Sequence, residues 1–90
     1  MSDSLAPLLG KQVVLDTGGT TFYVGRLLSE HVDGFWLEEA DVHHQDEGHA
    51  SREQYIAEAA HDGVHVNRQR VFVFRPTVIS ISALSDIISG

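Results

Sequence analysis

Val71-Phe72-Val73-Phe74-Arg75-Pro76-Thr77-Val78-Ile79-Ser80-Ile81 is the stretch on which the reading of the fold depends. Val71 to Phe74 is β-branched or aromatic at every position, so it reads as a strand that is apolar on both faces. Pro76-Thr77 turns the chain, because proline cannot donate to a ladder, and Val78 to Ala83 then reads as another strand. One face of Val71–Phe74 can enter a core. The other must be covered, since an exposed apolar edge templates aggregation unless another chain pairs with it. Val71, Phe72, Val73, Phe74, Ile79 and Ile81 are therefore the expected contacts of a self-associating edge.

Working upstream, the strand that ends at Arg75 is expected to begin near Val64. Gln12 to Asp16 reads as a first strand and Thr17-Gly18-Gly19-Thr20 as a tight turn, because paired glycines permit positive φ. Thr21 to Ser29 alternates, with Tyr23, Gly25 and Leu27 on one face and Phe22, Val24, Arg26 and Leu28 on the other. Glycine inside a strand marks a bend, a bulge or the close approach of another backbone, so Gly25 lets one long strand serve both halves of a barrel. Asp33-Gly34 forms the next turn, and Phe35 to Ala40 the third strand. Trp36 alternates against Phe35 and Leu37 and should face outward.

The period then changes. His43 to Ala50 is polar and loop-like, and Ser51-Arg52-Glu53-Gln54 has the form of a capping box. Tyr55, Ile56, Ala59 and Ala60 follow at helical spacing and Gly63 stops the run, giving a helical insert over about 43–63. This helix, through Tyr55, Ile56 and Ala59, or else a neighbouring subunit, is the expected cover for Trp36. Ser4 can cap a short N-terminal helix over Leu5-Ala6-Pro7-Leu8-Leu9 that ends at Gly10, and the tail from Leu84 adds a short apolar turn through Ile87 and Ile88. Five short strands on 90 residues imply one all-β domain, a small, strongly bent antiparallel barrel.

Composition narrows the function classes. The net charge of −7 argues against a general nucleic-acid binder, because phosphate affinity is largely electrostatic. Ten of the thirteen acids lie between Glu30 and Asp62, whereas Arg68, Arg70 and Arg75 cluster near the end, so one face is less acidic than the average. No apolar run approaches the roughly 20 residues of a membrane span, and the N-terminus lacks the basic start and apolar core of a signal peptide. The chain has no cysteine, hence no disulfide or thiolate site. The cytoplasm is the expected compartment.

In this order, the segments resemble the Sm-like family. The first Sm motif is similar to Leu9-Gly10-Lys11-Gln12-Val13, Tyr23-Val24-Gly25-Arg26-Leu27 and Phe35-Trp36-Leu37-Glu38-Glu39-Ala40. The second is similar to Val71-Phe72-Val73-Phe74-Arg75 and Val78-Ile79-Ser80-Ile81. The resemblance implies a short N-terminal helix on a five-stranded, SH3-like barrel. It also implies a homo-oligomeric ring closed by pairing between the fourth and fifth strands of neighbours, and single-stranded RNA bound around a central pore, as in an RNA chaperone or assembly platform. Carried over residue by residue, it places RNA binding on His31, Asp33 and Arg75. His31 would stack, Asp33 accept from a base edge and Arg75 hold a base or phosphate.

Two departures fall at that site. The position the family gives to asparagine falls on Gly34, and its Arg-Gly pair stands here as Arg75-Pro76. They leave open a second reading, an oligomeric scaffold or interaction module that kept the assembly edge and lost the RNA pocket. Asp33-Gly34 also reads simply as a polar hairpin turn, and Arg75 as a structural arginine paired with a neighbour's carboxylate. The run His43-His44-Gln45-Asp46-Glu47-Gly48-His49, with His61 and His65, has no spacing of a tight metal site and reads as a solvated acidic loop that changes charge near pH ~6.5. No nucleophile elbow, phosphate loop or zinc-hydrolase motif is present, so neither catalysis nor a cofactor is expected.

Overall fold

A computed structural model of the chain describes residues 5–44 and 51–88. Ser4, the expected cap, lies outside the described residues, as do positions 45–50 of the histidine run and 89–90 of the tail. Five strands form one antiparallel sheet: β1 (Gln12–Asp16), β2 (Thr21–His31), β3 (Gly34–His44), β4 (Arg68–Phe74) and β5 (Ser80–Ala83), in the order β4-β3-β2-β1-β5. One helix, α1 (Arg52–Asp62), is inserted between β3 and β4. The expected N-terminal helix is only a single 3₁₀ turn, Ala6–Leu8, because Leu9 is already extended (ψ 133°) and Gly10 takes a positive φ of 82°.

Two bulges bend the long β2–β3 ladder. Val24 pairs with Asp41 but Arg26 with Glu38, so β3 carries an extra residue there, and Glu39 takes a positive φ of 50°. Leu27 pairs with Leu37 but Ser29 with Trp36, which leaves Leu28 as the extra residue on β2. Gly25 lies at the first bulge. A Cβ there would sit 2.8 Å from the Ala40 Cβ, so the close backbone approach expected from the sequence is what the glycine provides.

The bend brings the two sheet edges over a common interior. Val73 of β4 and Ile81 of β5 share one cluster with Val13, Leu15, Leu27, Phe35, Leu37 and Ala40, closed at one end by Leu5 and Leu8. Each fully buried Leu or Phe contributes roughly 1.5–3 kcal/mol. The edges do not join: β4 pairs with β3 and β5 with β1, and the barrel is open between β4 and β5.

Helix α1 begins as its capping residue requires, with the Ser51 hydroxyl accepting from the Gln54 amide at 3.2 Å, and ends at Gly63 (φ +100°). Its apolar side does not cover Trp36. Ile56 and Ala59 pack on Val14, Phe22, Val24 and Leu84, the opposite face of β1 and β2 from the barrel interior. Arg52 ties the helix start to Asp16 at 2.7 Å. Trp36 instead packs against Phe72, its cross-strand partner.

Strand limits also differ from expectation: β2 runs to His31 rather than Ser29, and β5 starts at Ser80 rather than Val78. β3 runs on through Asp41-Val42-His43-His44, a polar segment held by pairing with residues 21–24 rather than by alternation, so His43 and His44 are strand residues. β4 starts at Arg68, not Val64, because Val64 packs on the α1 side and Asn67 is bound to Asp41 and Val42. No helix among the described residues is long and apolar enough to cross a membrane.

Candidate nucleic-acid interface

β2 ends at His31 and β3 starts at Gly34, so Val32 and Asp33 form the tip of a hairpin. Arg75 opens a 3₁₀ turn, Arg75–Thr77, directly after β4, and Pro76 supplies the fixed φ that this turn accepts. Antiparallel pairing of Gly34 with Phe74 carries the end of β4 to the hairpin tip.

Arg75 then fastens the tip. Its amide donates to the Asp33 carbonyl at 3.0 Å, its Nε to the Val32 carbonyl at 3.1 Å, and its Nη2 to the His31 carbonyl at 2.6 Å and to Glu30 Oε2 at 2.9 Å. The guanidinium carbon lies 4.7 Å from the centre of the Phe35 ring, a cation–π contact over a core aromatic. His31, Asp33 and Arg75 are thus brought together. The arginine's carboxylate partner is Glu30 of its own chain, which the sequence did not disclose. Nη1 makes no hydrogen bond among the described residues.

Arg75 separates two recesses. One, of about 480 Å³, is lined by Glu30, His31, Val32 and Arg75. The other, of about 330 Å³, lies in the open seam between the edges and is lined by Leu5, Phe35, Arg75 and residues 78–81. The His31 imidazole is exposed, with Nε2 2.8 Å from the Ser29 hydroxyl, and the Asp33 side chain is exposed at the tip.

Gly34 explains why no asparagine stands at this point. A Cβ would lie 2.3 Å from the Val73 carbonyl oxygen and 2.5 Å from the Phe72 ring. Any side chain would therefore push β4 away from the hairpin.

The expected contact residues divide by face. The Val71, Val73 and Ile81 side chains pack into or against the core. Phe74 is 60% exposed and Ile79 69% exposed, one near each open edge. Phe72 lies between Trp36 and Phe74 on the outer face, an aromatic cluster that sequence reasoning signalled only as a face needing cover.

With this geometry in view, comparison with solved structures decides the architecture. The structure of a Pyrococcus abyssii Sm protein in complex with a uridine heptamer superposes with a TM-score of 0.61 at 18% identity, over 90% of this chain and 93% of that one. The chain has the Sm fold. Neither a family model nor a curated protein matches its sequence.

The insert has its own polar anchor. Asp41, 3% exposed, accepts from the Tyr55 hydroxyl and from Asn67 Nδ2 at 3.0 Å, and the Tyr55 ring stacks on His43 at 3.8 Å. Burial, and then the hydrogen bond to Asp41, raise the Tyr55 pKa above its ordinary value. Among the described residues, no group of three or more His, Asp or Glu is placed to hold a metal ion.

Proposed function

We propose that this Sm-fold chain forms a homo-oligomeric ring and binds single-stranded RNA at the His31–Asp33–Arg75 junction, as an RNA chaperone or assembly platform rather than an enzyme. The observation that carries the reading is the Arg75 clamp. It fixes the hairpin tip so that the exposed His31 imidazole and a guanidinium edge line the 480 Å³ recess, with Asp33 exposed on the same tip. Stacking surface, edge acceptor and cation are the three elements that base recognition in a single strand requires. The uridine heptamer bound by the Pyrococcus abyssii protein of the same fold supports RNA as the ligand class. For the ring, support comes from the two unpaired sheet edges, β4 and β5, with Ile79 exposed beside the β5 edge.

A specific observation favours the scaffold reading as the alternative. Glu30 already balances the charge of Arg75, and Gly34 has no room for a base-holding side chain. Titration of fluorescent oligouridine and oligoadenosine across a salt series separates the two. The RNA reading expects binding at micromolar protein that weakens as salt rises. Absence of any salt-sensitive binding, with the oligomer intact, would leave the scaffold.

A further inference from the structure

The outer face of β3 and β4 carries aromatic rings that α1 leaves uncovered. Trp36 and Phe72, cross-strand partners, have ring centres 5.1 Å apart at 67°; Phe72 and Phe74 are 5.2 Å apart at 79°. His31 continues the run, its ring 6.3 Å from that of Phe72. Trp36 is 38% exposed and Phe74 more so, and the steep ring angles present faces as well as edges.

The charge beside these rings is unusual for so acidic a chain. Glu38 lies opposite Arg70 in the β3–β4 register, but it is already bound by Arg26 on its other side, Nε to Oε2 at 2.9 Å. Arg26 also takes Glu39, Nη2 to Oε1 at 2.6 Å. Arg70 is left with no ion pair or hydrogen bond among the described residues, and Arg68 reaches only the Asn67 carbonyl at 3.0 Å. Arg68 and Arg70 thus stand beside the rings with no carboxylate partner among the described residues, although the chain carries −7. Arg70, Phe72 and Phe74 follow one another on one side of β4, about 7 Å apart at each step.

We propose that this face is a base-stacking track for single-stranded RNA, with bases on Trp36 and Phe74 and a phosphate on Arg70. It rests on the reading of RNA as the ligand but uses residues outside the His31–Asp33–Arg75 junction, which it meets at His31. Unpaired arginine in line with exposed aromatic rings is the combination by which single strands are held without sequence preference. A second copy of the chain docked on the same rings would leave Arg70 desolvated and without a counter-charge from its own subunit, a cost that a phosphate removes.

Trp36 is the sole tryptophan, so its emission reports on this face directly. A labelled oligouridine of about 15 nucleotides is titrated while tryptophan emission and probe anisotropy are followed together. Emission should fall in step with anisotropy. Arg70→Glu, and Phe74→Leu, which keeps apolar bulk but removes the ring face, should each weaken binding about tenfold. Arg75→Ala should keep the quench while losing affinity. Binding without change in Trp36 emission, and with both β4 variants like the parent, overturns the track and leaves the junction standing. A fall in oligomer mass in Phe74→Leu with unchanged affinity overturns it in favour of an interface between copies. No binding of the probe by the parent overturns the track and the RNA reading together.

Discussion

Arg75 and Glu30, 45 residues apart in the chain, meet at 2.9 Å and hold the hairpin tip against the end of β4. The same guanidinium bonds the carbonyls of His31 and Val32 and covers Phe35. One side chain therefore shapes the junction and supplies its cation, and Glu30 competes with any anionic ligand for it.

That competition separates two substitutions. The ion pair is partly exposed, with side-chain exposures of 41% and 24%, so its net worth is of the order of 0–1 kcal/mol. Glu30→Gln should thus cost under about 1 kcal/mol in urea melts. It should also tighten oligouridine binding and steepen the dependence on salt by about one phosphate contact. Arg75→Ala removes the carbonyl bonds as well and should cost about 2 kcal/mol while weakening binding about tenfold without abolishing it. Tighter binding in neither salt regime for Glu30→Gln would show that Glu30 does not compete.

Gly34 should be the least replaceable glycine among the described residues. Gly34→Ala sets a Cβ 2.3 Å from a backbone oxygen that cannot rotate away, so a loss of about 3 kcal/mol is expected. Gly10→Ala meets nothing within 4 Å and suffers only from its positive φ, about 1 kcal/mol. Urea midpoints of the two variants measure the difference; equal losses would mean that β4 yields at Gly34.

Much of this was legible in local pattern. A short apolar run located β1 and alternation most of β2, Gly25 announced the close approach of β3, and Ser51 to Gln54 started α1 where the structure starts it. What pattern could not carry was choice of partner. Ile56 and Ala59 read as an apolar helix face, but only the bend of the sheet decides that they meet Phe22 and Val24 rather than Trp36. The His43–His44 end of β3 has no apolar alternation because its covered side meets Tyr55, whose ring stacks on His43 and whose hydroxyl binds Asp41, so polar residues are accommodated there. Likewise, Arg75 reads as a site residue, whereas its tie to Glu30 depends on a long-range pairing that places two strand ends together.

The open seam makes a prediction about assembly. Ile79 is 69% exposed and lies outside both core clusters, so Ile79→Asp should leave the monomer fold and its urea midpoint within about 0.5 kcal/mol of the parent. If β4 and β5 of neighbours pair, the buried, unpaired charge should reduce a ring to monomers in sedimentation. An unchanged mass would move the interface elsewhere.

Tyr55 should give the fold a defined alkaline limit. Its hydroxyl donates to Asp41, a buried carboxylate whose other protein donor among the described residues is Asn67. Tyr55→Phe leaves Asp41 with a missing donor and should cost about 1–3 kcal/mol at neutral pH. The pH dependence follows from the raised pKa. In the unfolded chain the phenol ionises at its ordinary value of 10.0, whereas the folded protein holds the proton to higher pH. Between those values the native state binds more protons, so stability falls as pH rises. The contribution is complete below pH 10 and is lost above it. Urea midpoints measured from pH 8 to 11 should decline at the alkaline end in the parent and decline less in Tyr55→Phe. Parallel curves for the two proteins would place the alkaline loss on other groups and free Tyr55 of any role in it.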